Sequence, residues 1–239
     1  MDQNYAAKLT IPNKKRPDGE RDPFTADELQ TLFNGYLYQG EFPPHTKPHP
    51  YQFWLPLIGL YTGMRIEEIC QLYASDLKQI DGVWCLDINE DNPDKSVKTS
   101  ERRIVPLHPF LVEELNFVGY VKSLPDQKDR IFPELKRIKN RYSHHASLWF
   151  SDFKQRCGIV APPRKKTFHS FRHTVIDHLL QKDIQDRIIS MLVGHSIQGQ
   201  TKGRYGKRLK SKLLLEKAVL HIDYGIDLGH LKKSKFVVR

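Results

Sequence analysis

No run of about twenty apolar residues occurs in this 239-residue chain, so the sequence offers no helix long enough to span a bilayer. The N-terminal MDQNYAAKLT lacks the basic-then-apolar order of a secretory signal, and the expected location is the cytoplasm. Cysteine is scarce: Cys70, Cys85 and Cys157 are odd in number, far apart and set among apolar neighbours. That pattern favours reduced core thiols over a disulfide framework or a zinc site. No GxxxxGK[ST] phosphate loop is present. Acid is short as well, with 28 Asp and Glu against 38 Lys and Arg, a formal net charge of +10 and a pI near 9.4. Clustered cations gain free energy by releasing counterions condensed on a polyanion, so nucleic acid is the partner class this balance favours.

What is there describes one folded domain of average to large size. Hydrophobic residues make up 39% and charged residues 28% of the chain, which excludes a disordered tail. Residues 1–21 are polar and rich in Lys, Arg, Asp and Pro, and read as a linker or leader. The fold is expected to begin at DPFTADELQTLF, with Thr25 as N-cap, Asp27 and Glu28 in the first turn, and Leu29, Leu32 and Phe33 at helical spacing. A long apolar helix, YQFWLPLIGLYTG, should stop near Thr62 and Gly63, with Pro56 arguing for a bend or a later start. The following MRIEEICQLY predicts a helix with Ile66, Ile69 and Cys70 as its buried stripe and with Arg65 near Glu68.

The period then changes. Residues 83–89 (VWCLDIN) and 102–108 (RRIVPLH) predict a small antiparallel sheet whose connection carries Lys95 and Lys98. Helices are expected again over PFLVEELNFVGYVKSL, over SHHASLWFSDFKQRCG, over FHSFRHTVIDHLLQK and DIQDRIISMLVG, and between Lys210 and Ile222. The predicted class is therefore mainly α with one small antiparallel sheet.

Several residues have the chemistry for work on a phosphodiester, which needs cationic donors on its non-bridging oxygens, an in-line nucleophile and an acid for the departing oxygen. In order they are Arg65 and Glu68 in TGMRIEEI, Lys98 in VKTSERRIVPLH, His169, Arg172 and His173 in HSFRHT, His195 in LVGHS, and Tyr205 in GRYGKR. Each has an ordinary reading when taken alone. Arg65 could be an exposed partner of Glu68 at i, i+3, and Lys98 a solvated loop lysine. His169 and His173 form an HxxxH pair without a third ligand or a glutamate base, and Arg172 between them would disfavour a dication, so no metal site is expected. His195 could simply cap a helix end, and Tyr205 is one of ten tyrosines.

Order and spacing together change the balance. The series TGMRIEE, KTSERRIVPL, HSFRH, LVGHS and GRYG resembles the tyrosine recombinase, or phage integrase, family over roughly residues 22–222. The resemblance implies the catalytic-domain fold of these DNA breaking and rejoining enzymes, and site-specific recombination that integrates or excises a mobile element. It implies Tyr205 as nucleophile forming a 3′-phosphotyrosyl link, Arg65 and Arg172 as clamps on the non-bridging oxygens, and Lys98 as acid for the 5′-oxygen. His169 would move the tyrosine proton and His195 would hydrogen-bond the phosphate, with Glu68 and His173 supporting them. Neither metal, ATP nor other cofactor is then expected. A phenol has a pKa near 10, so such a nucleophile needs strongly positive surroundings; the stretch GQTKGRYGKRLKSK provides them.

Further cations are candidates for contacts to the DNA backbone: Lys139 and Arg141, then Arg164, Lys165 and Lys166, and around the tyrosine Lys202, Arg204, Lys207 and Arg208. The expected partners are double-stranded DNA carrying specific sites and, as the resemblance implies, further copies of the chain, a tetramer on DNA and a monomer when free, in a prokaryotic, nucleoid-associated setting. The family normally has a further N-terminal DNA-binding domain, and only about forty residues precede the long helix that leads to Arg65. Residues 223–239 are expected to dock on a neighbouring subunit, or otherwise to form a disordered tail. A non-cutting relative and a type IB topoisomerase remain rival readings. A metal-dependent nuclease is disfavoured because the acidic residues of 87–94 lie away from the motifs.

Overall fold

A computed structural model describes residues 21–42, 45, 47–97, 102–126, 128–162, 165–195 and 210–238. The first helix, α1 (Ala26–Phe33), begins as its sequence demands. Thr25 accepts from the Glu28 backbone N–H while Glu28 accepts from that of Thr25, a reciprocal capping box. Its apolar face, Leu29, Leu32 and Phe33, is fully buried. After the short α2 (Tyr36–Gln39) comes α3 (Pro50–Thr62), buried on every side from Phe53 onward. A helix that is apolar all round has to occupy the core, and α3 is the pillar against which α4, α6 and α7 pack. Pro50 occupies the first turn, where its missing N–H costs nothing, and the helix runs through Pro56 and ends at Gly63, so the later start that Pro56 allowed does not occur.

α4 (Ile66–Cys70) is only five residues long, with Arg65 as its N-cap, Ile69 and Cys70 buried and Ile66 half-buried. The sheet has three strands, not two: β1 (Leu77–Ile80), β2 (Val83–Ile88) and β3 (Arg103–Pro106), antiparallel in that order. The register pairs Leu77 with Leu86, Cys85 with Pro106 and Ile88 with Arg103. β1 and β2 are joined by Asp81 and Gly82, both at positive φ, 52° and 78°. This is the two-residue turn whose twist suits a hairpin, and Asp-Gly is its characteristic pair.

The single helix expected over PFLVEELNFVGYVKSL is interrupted. A π-helical turn over Phe110–Glu114 is followed by α5 (Phe117–Lys122), and between them Asn116 adopts φ 50° and caps α5 by accepting from the Gly119 N–H. An asparagine tolerates the left-handed region better than other non-glycine residues and satisfies an orphan N–H at the same time. α6 (Ser143–Arg156), α7 (Ser170–Gln181) and α8 (Asp186–Val193) follow the expected boundaries closely. α9 (Ser211–Lys217) is shorter than expected and passes into a 3-10 turn, Val219–His221. It packs on β2, β3 and α8.

An aromatic cluster joins α1, α6 and α7. Phe150 lies 5.4 Å from both Phe168 and Phe171, and Phe24 lies 5.0 Å from Phe171. Such pairs add about 0.5–1.5 kcal/mol each beyond area burial. Residues 223–238 pack on the rest of their own chain. Tyr224 donates to the Leu60 carbonyl, Gln30 and Asp227 exchange two hydrogen bonds, and Asn116 donates to the Val238 carbonyl. Leu228 and Leu231 are buried there, and the Phe236 ring sits 5.5 Å from Phe53. The apolar content of the segment accounts for this, since it covers core surface near α1, α2 and α3.

Candidate phosphodiester site

Arg65, at the junction of α3 and α4, extends its guanidinium between two elements. Nη1 donates to Glu68 Oε1 at 2.9 Å and Nη2 to the carbonyl of Gly194 at 3.2 Å. Glu68 is 2% exposed and holds the Arg65 backbone N–H on its other oxygen. Burial pushes the Glu68 carboxyl up, but hydrogen bonds and charge from Arg103 and Arg65 outweigh it and keep the group below its ordinary value, hence ionised.

Arg172 comes from the first turns of α7 and is 1% exposed. Nη1 donates to the carbonyls of Gly63 and Val193, and Nε donates to His195 Nε2 at 3.3 Å. Its Nη2 is buried and meets no hydrogen-bond partner among the described residues. Burial and the neighbouring Arg65 push the Arg172 pKa down to about 9, which still leaves the guanidinium charged at neutral pH. A buried cation with a free donor is costly unless an anion completes it.

His195 follows Gly194, which ends α8 at φ 73°. A Cβ at Gly194 would lie 2.8 Å from the Arg103 guanidinium, so both the backbone conformation and the close approach call for glycine. Because His195 Nε2 accepts from Arg172, the neutral ring carries its proton on Nδ1. Burial and the charges of Arg172 and Arg65 lower its pKa to about 4. His169, whose backbone N–H donates to Thr167 Oγ1, lines the adjoining cleft. Its pKa is pushed down to about 3 by burial, then by Arg172 and Arg21. Both imidazoles are neutral at pH 7. The His173 ring lies 5.2 Å from that of His169, edge to face.

The cleft measures about 760 Å³ and is lined by Arg65, Glu68, Val97, Arg141, Lys166 and His169 among others. Arg65, Glu68, His169, Arg172, His173 and His195 are thus brought to one locality from α4, α7 and the end of α8. Lys98, Tyr205, Arg164, Lys202, Arg204, Lys207 and Arg208 lie outside the described residues. The described residues next to Lys98 are firmly held. Gln71 exchanges two hydrogen bonds with the backbone of Ser96, and the Val97 N–H donates to Glu90. Lys95 is buried and donates to both oxygens of Asp76 and to Asn89, so it serves as a strut beneath the hairpin. The residues next to the Tyr205 segment are held by α8 packed on β3 and α9 packed on β2 and β3.

The candidate backbone contacts divide. Lys139 and Arg141 are exposed, in a tight turn closed by two hydrogen bonds between Ile138 and Arg141. Lys165 stands 3.9 Å from Asp22, and Lys166 is engaged with Glu28 and the Pro23 carbonyl. Lys166 therefore has a structural commitment that its basic neighbourhood in the sequence did not reveal.

Two functional supports escaped sequence reasoning. Arg103, on β3, is buried and clamps Glu68 with two hydrogen bonds, 3.0 and 2.6 Å, while Nε donates to the Leu192 carbonyl. It thereby joins the sheet, the acid behind Arg65 and the end of α8. Glu67 accepts from the backbone N–H groups of Tyr142 and Ser143 and so caps α6 from a distance. The alternation of β3, with Arg103 on the same face as Val105, was the signal available for the first; nothing local marks the second.

The phage integrase family matches residues 20–212. The chain is 28% identical over 155 residues to the tyrosine recombinase XerA of Thermococcus onnurineus, covering 64% of this chain and 49% of that protein. It is 30% identical over 142 residues to a tyrosine recombinase of Pseudothermotoga lettingae, covering 57% and 42%. The chain thus spans about half the length of the curated relatives it matches. Among solved structures, it resembles the integrase from mycobacterium phage Brujita with a TM-score of 0.58 at 17% identity, covering 94% of this chain and 66% of that one. It also resembles a lambda integrase tetramer bound to a Holliday junction with a TM-score of 0.53 at 19% identity, covering 85% and 55%. These last likenesses concern the fold. With the family match extending over most of its length, the chain belongs to the phage integrase family.

Proposed function

We propose that the chain carries the catalytic domain of a site-specific DNA recombinase that cuts and rejoins strands through a 3′-phosphotyrosyl intermediate and serves the integration or excision of a mobile element. The observation that carries this reading is the buried Arg172 Nη2, a cationic donor without a partner among the described residues, set beside Arg65 and His195. Planar guanidinium groups suit the paired oxygens of a phosphodiester.

In this reading the Tyr205 oxygen attacks phosphorus, the P–O5′ bond breaks as the P–O(Tyr) bond forms, and the released strand ends in a 5′-hydroxyl. The phenolic proton passes to His169, which burial and neighbouring cations keep neutral before the phosphate anion enters the site. Lys98 protonates the leaving 5′-oxygen, so one proton is taken up and one is given. Arg65 and Arg172 neutralise charge on the non-bridging oxygens, and His195, drawn toward its charged form by the anion, adds a hydrogen bond. The bond energy is kept in the covalent link, so rejoining to a partner strand needs neither ATP nor a metal ion. Lys139, Arg141, Lys165 and the cations flanking Tyr205 hold the backbone of double-stranded DNA, and four copies assemble on it. Support for DNA as partner comes from the net charge of +10 and from the lambda integrase relatives bound to a core site or a Holliday junction.

The test offers the protein a nicked duplex carrying its site and looks for a denaturation-resistant protein–DNA adduct. The parent should form it and Tyr205→Phe should not; equal adduct from both would overturn the mechanism.

A further inference from the structure

Arg21 belongs by sequence to the polar segment ahead of the fold, yet it lines the same cleft as Arg65 and His169. The residues after it fix its place. The Asp22 N–H donates to the Lys165 carbonyl at 3.0 Å, the Pro23 carbonyl accepts from Lys166 Nζ at 2.9 Å, and the Phe24 N–H donates to Thr174 Oγ1 at 2.8 Å. The chain is thus fastened to the loop before α7 and to α7 itself at three successive residues. Arg21 Nε is buried and meets no hydrogen-bond partner among the described residues, and no described carboxylate forms an ion pair with it.

The two acids that share the cleft are already committed, Glu68 to Arg65 and Arg103, and Glu67 to the first N–H groups of α6. Positive charge in the cleft therefore exceeds what its own acids balance. At about 760 Å³ the cleft is also far larger than one phosphate group. We propose that Arg21 grips the phosphodiester next to the scissile one, so that the site holds two consecutive phosphates of one strand. The charge of Arg21 is among the causes that lower the His169 pKa, in keeping with its place in the cleft. This inference rests on the proposed reading of the site as a phosphodiester pocket.

The experiment uses the full chain with Tyr205→Phe, which removes cleavage, and follows the His169 ring resonances by NMR while TpT, with one phosphodiester, or TpTpT, with two, is added. The Arg21-containing protein should bind TpTpT roughly tenfold more tightly than TpT, the range expected for one charge-assisted hydrogen-bonded contact. Arg21→Ala should bind both alike, and Arg21→Lys should keep part of the preference; thermal melting establishes that each variant is folded. Equal affinity for the two probes in the Arg21-containing protein, or an undiminished preference in Arg21→Ala, overturns the proposal while leaving the phosphodiester reading intact. No response of His169 to either probe overturns both, and adduct formation by Tyr205→Phe overturns only the role of Tyr205 as nucleophile.

Discussion

Replacing Arg103 by methionine removes a charge from the centre of the site without opening a large void. The structure sets the size of the effect. Glu68 is 2% exposed and loses two hydrogen bonds, 3.0 and 2.6 Å, and the Leu192 carbonyl loses one at 3.3 Å. Breaking a buried ion pair from one side costs about 3–5 kcal/mol. Glu68 keeps Arg65, so the low end applies, roughly 3 kcal/mol. For a chain of this size about 2–4 °C of melting temperature accompanies each kcal/mol, so thermal unfolding at neutral pH should shift down by about 6–12 °C.

Glu68→Gln alone leaves two guanidinium groups facing a neutral amide, and should cost a similar amount. The double variant removes both halves of the pair, and its loss should be about 2–3 kcal/mol smaller than the sum of the two single losses. Urea titration of the four proteins gives this cycle directly. If the losses add, or if Arg103→Met melts within about 2 °C of the parent, the Glu68–Arg103 clamp does not hold the site together and the reasoning fails.

Gly194→Ala places a Cβ at φ 73° and 2.8 Å from the Arg103 guanidinium. The conformation alone costs about 1–2 kcal/mol; melting should fall and the His195 pKa, read by NMR, should climb from about 4 toward its ordinary 6.5 as the ring leaves Arg172. Unfolding should also depend on pH in a definite direction. Folded His169, His195 and His108 are held down at about 3, 4 and 4, His108 by burial beneath Tyr61. The unfolded chain takes up protons first as pH drops below about 6.5, so stability from these groups is full above that value and is lost as pH falls toward the folded values. Urea midpoints at pH 7.5 and 5 should differ in that order, with roughly one to three protons taken up on unfolding; equal midpoints would contradict it.

The parts legible in the sequence are those whose cause is local. The Thr25 and Glu28 capping box, the apolar face of α1 and the helix ends at Gly63 and Gly194 each depend on residues within one turn. β1 was missed although Asp81-Gly82 marks its hairpin, because LKQI alternates too briefly to register as a strand. The break at Asn116 was hidden by an unbroken apolar pattern that an αL asparagine interrupts without changing.

In the site, Arg65, Glu68, His169, Arg172 and His195 stand out in the sequence because each brings its own chemistry, whereas the residues that support them do not. Arg103 matters through Glu68, 35 residues earlier, and Leu192, 89 residues later. Lys166 sits in a basic run that reads as a DNA contact, yet its ammonium group is spent on Glu28 and the Pro23 carbonyl, fixing the chain just after Arg21. The same pairing thus takes one cation off the list of free contacts and fixes the segment that carries another into the cleft. Which cations can meet a phosphate is therefore decided by which acids they have already met, and that pairing exists only once α1, β3 and α7 have packed.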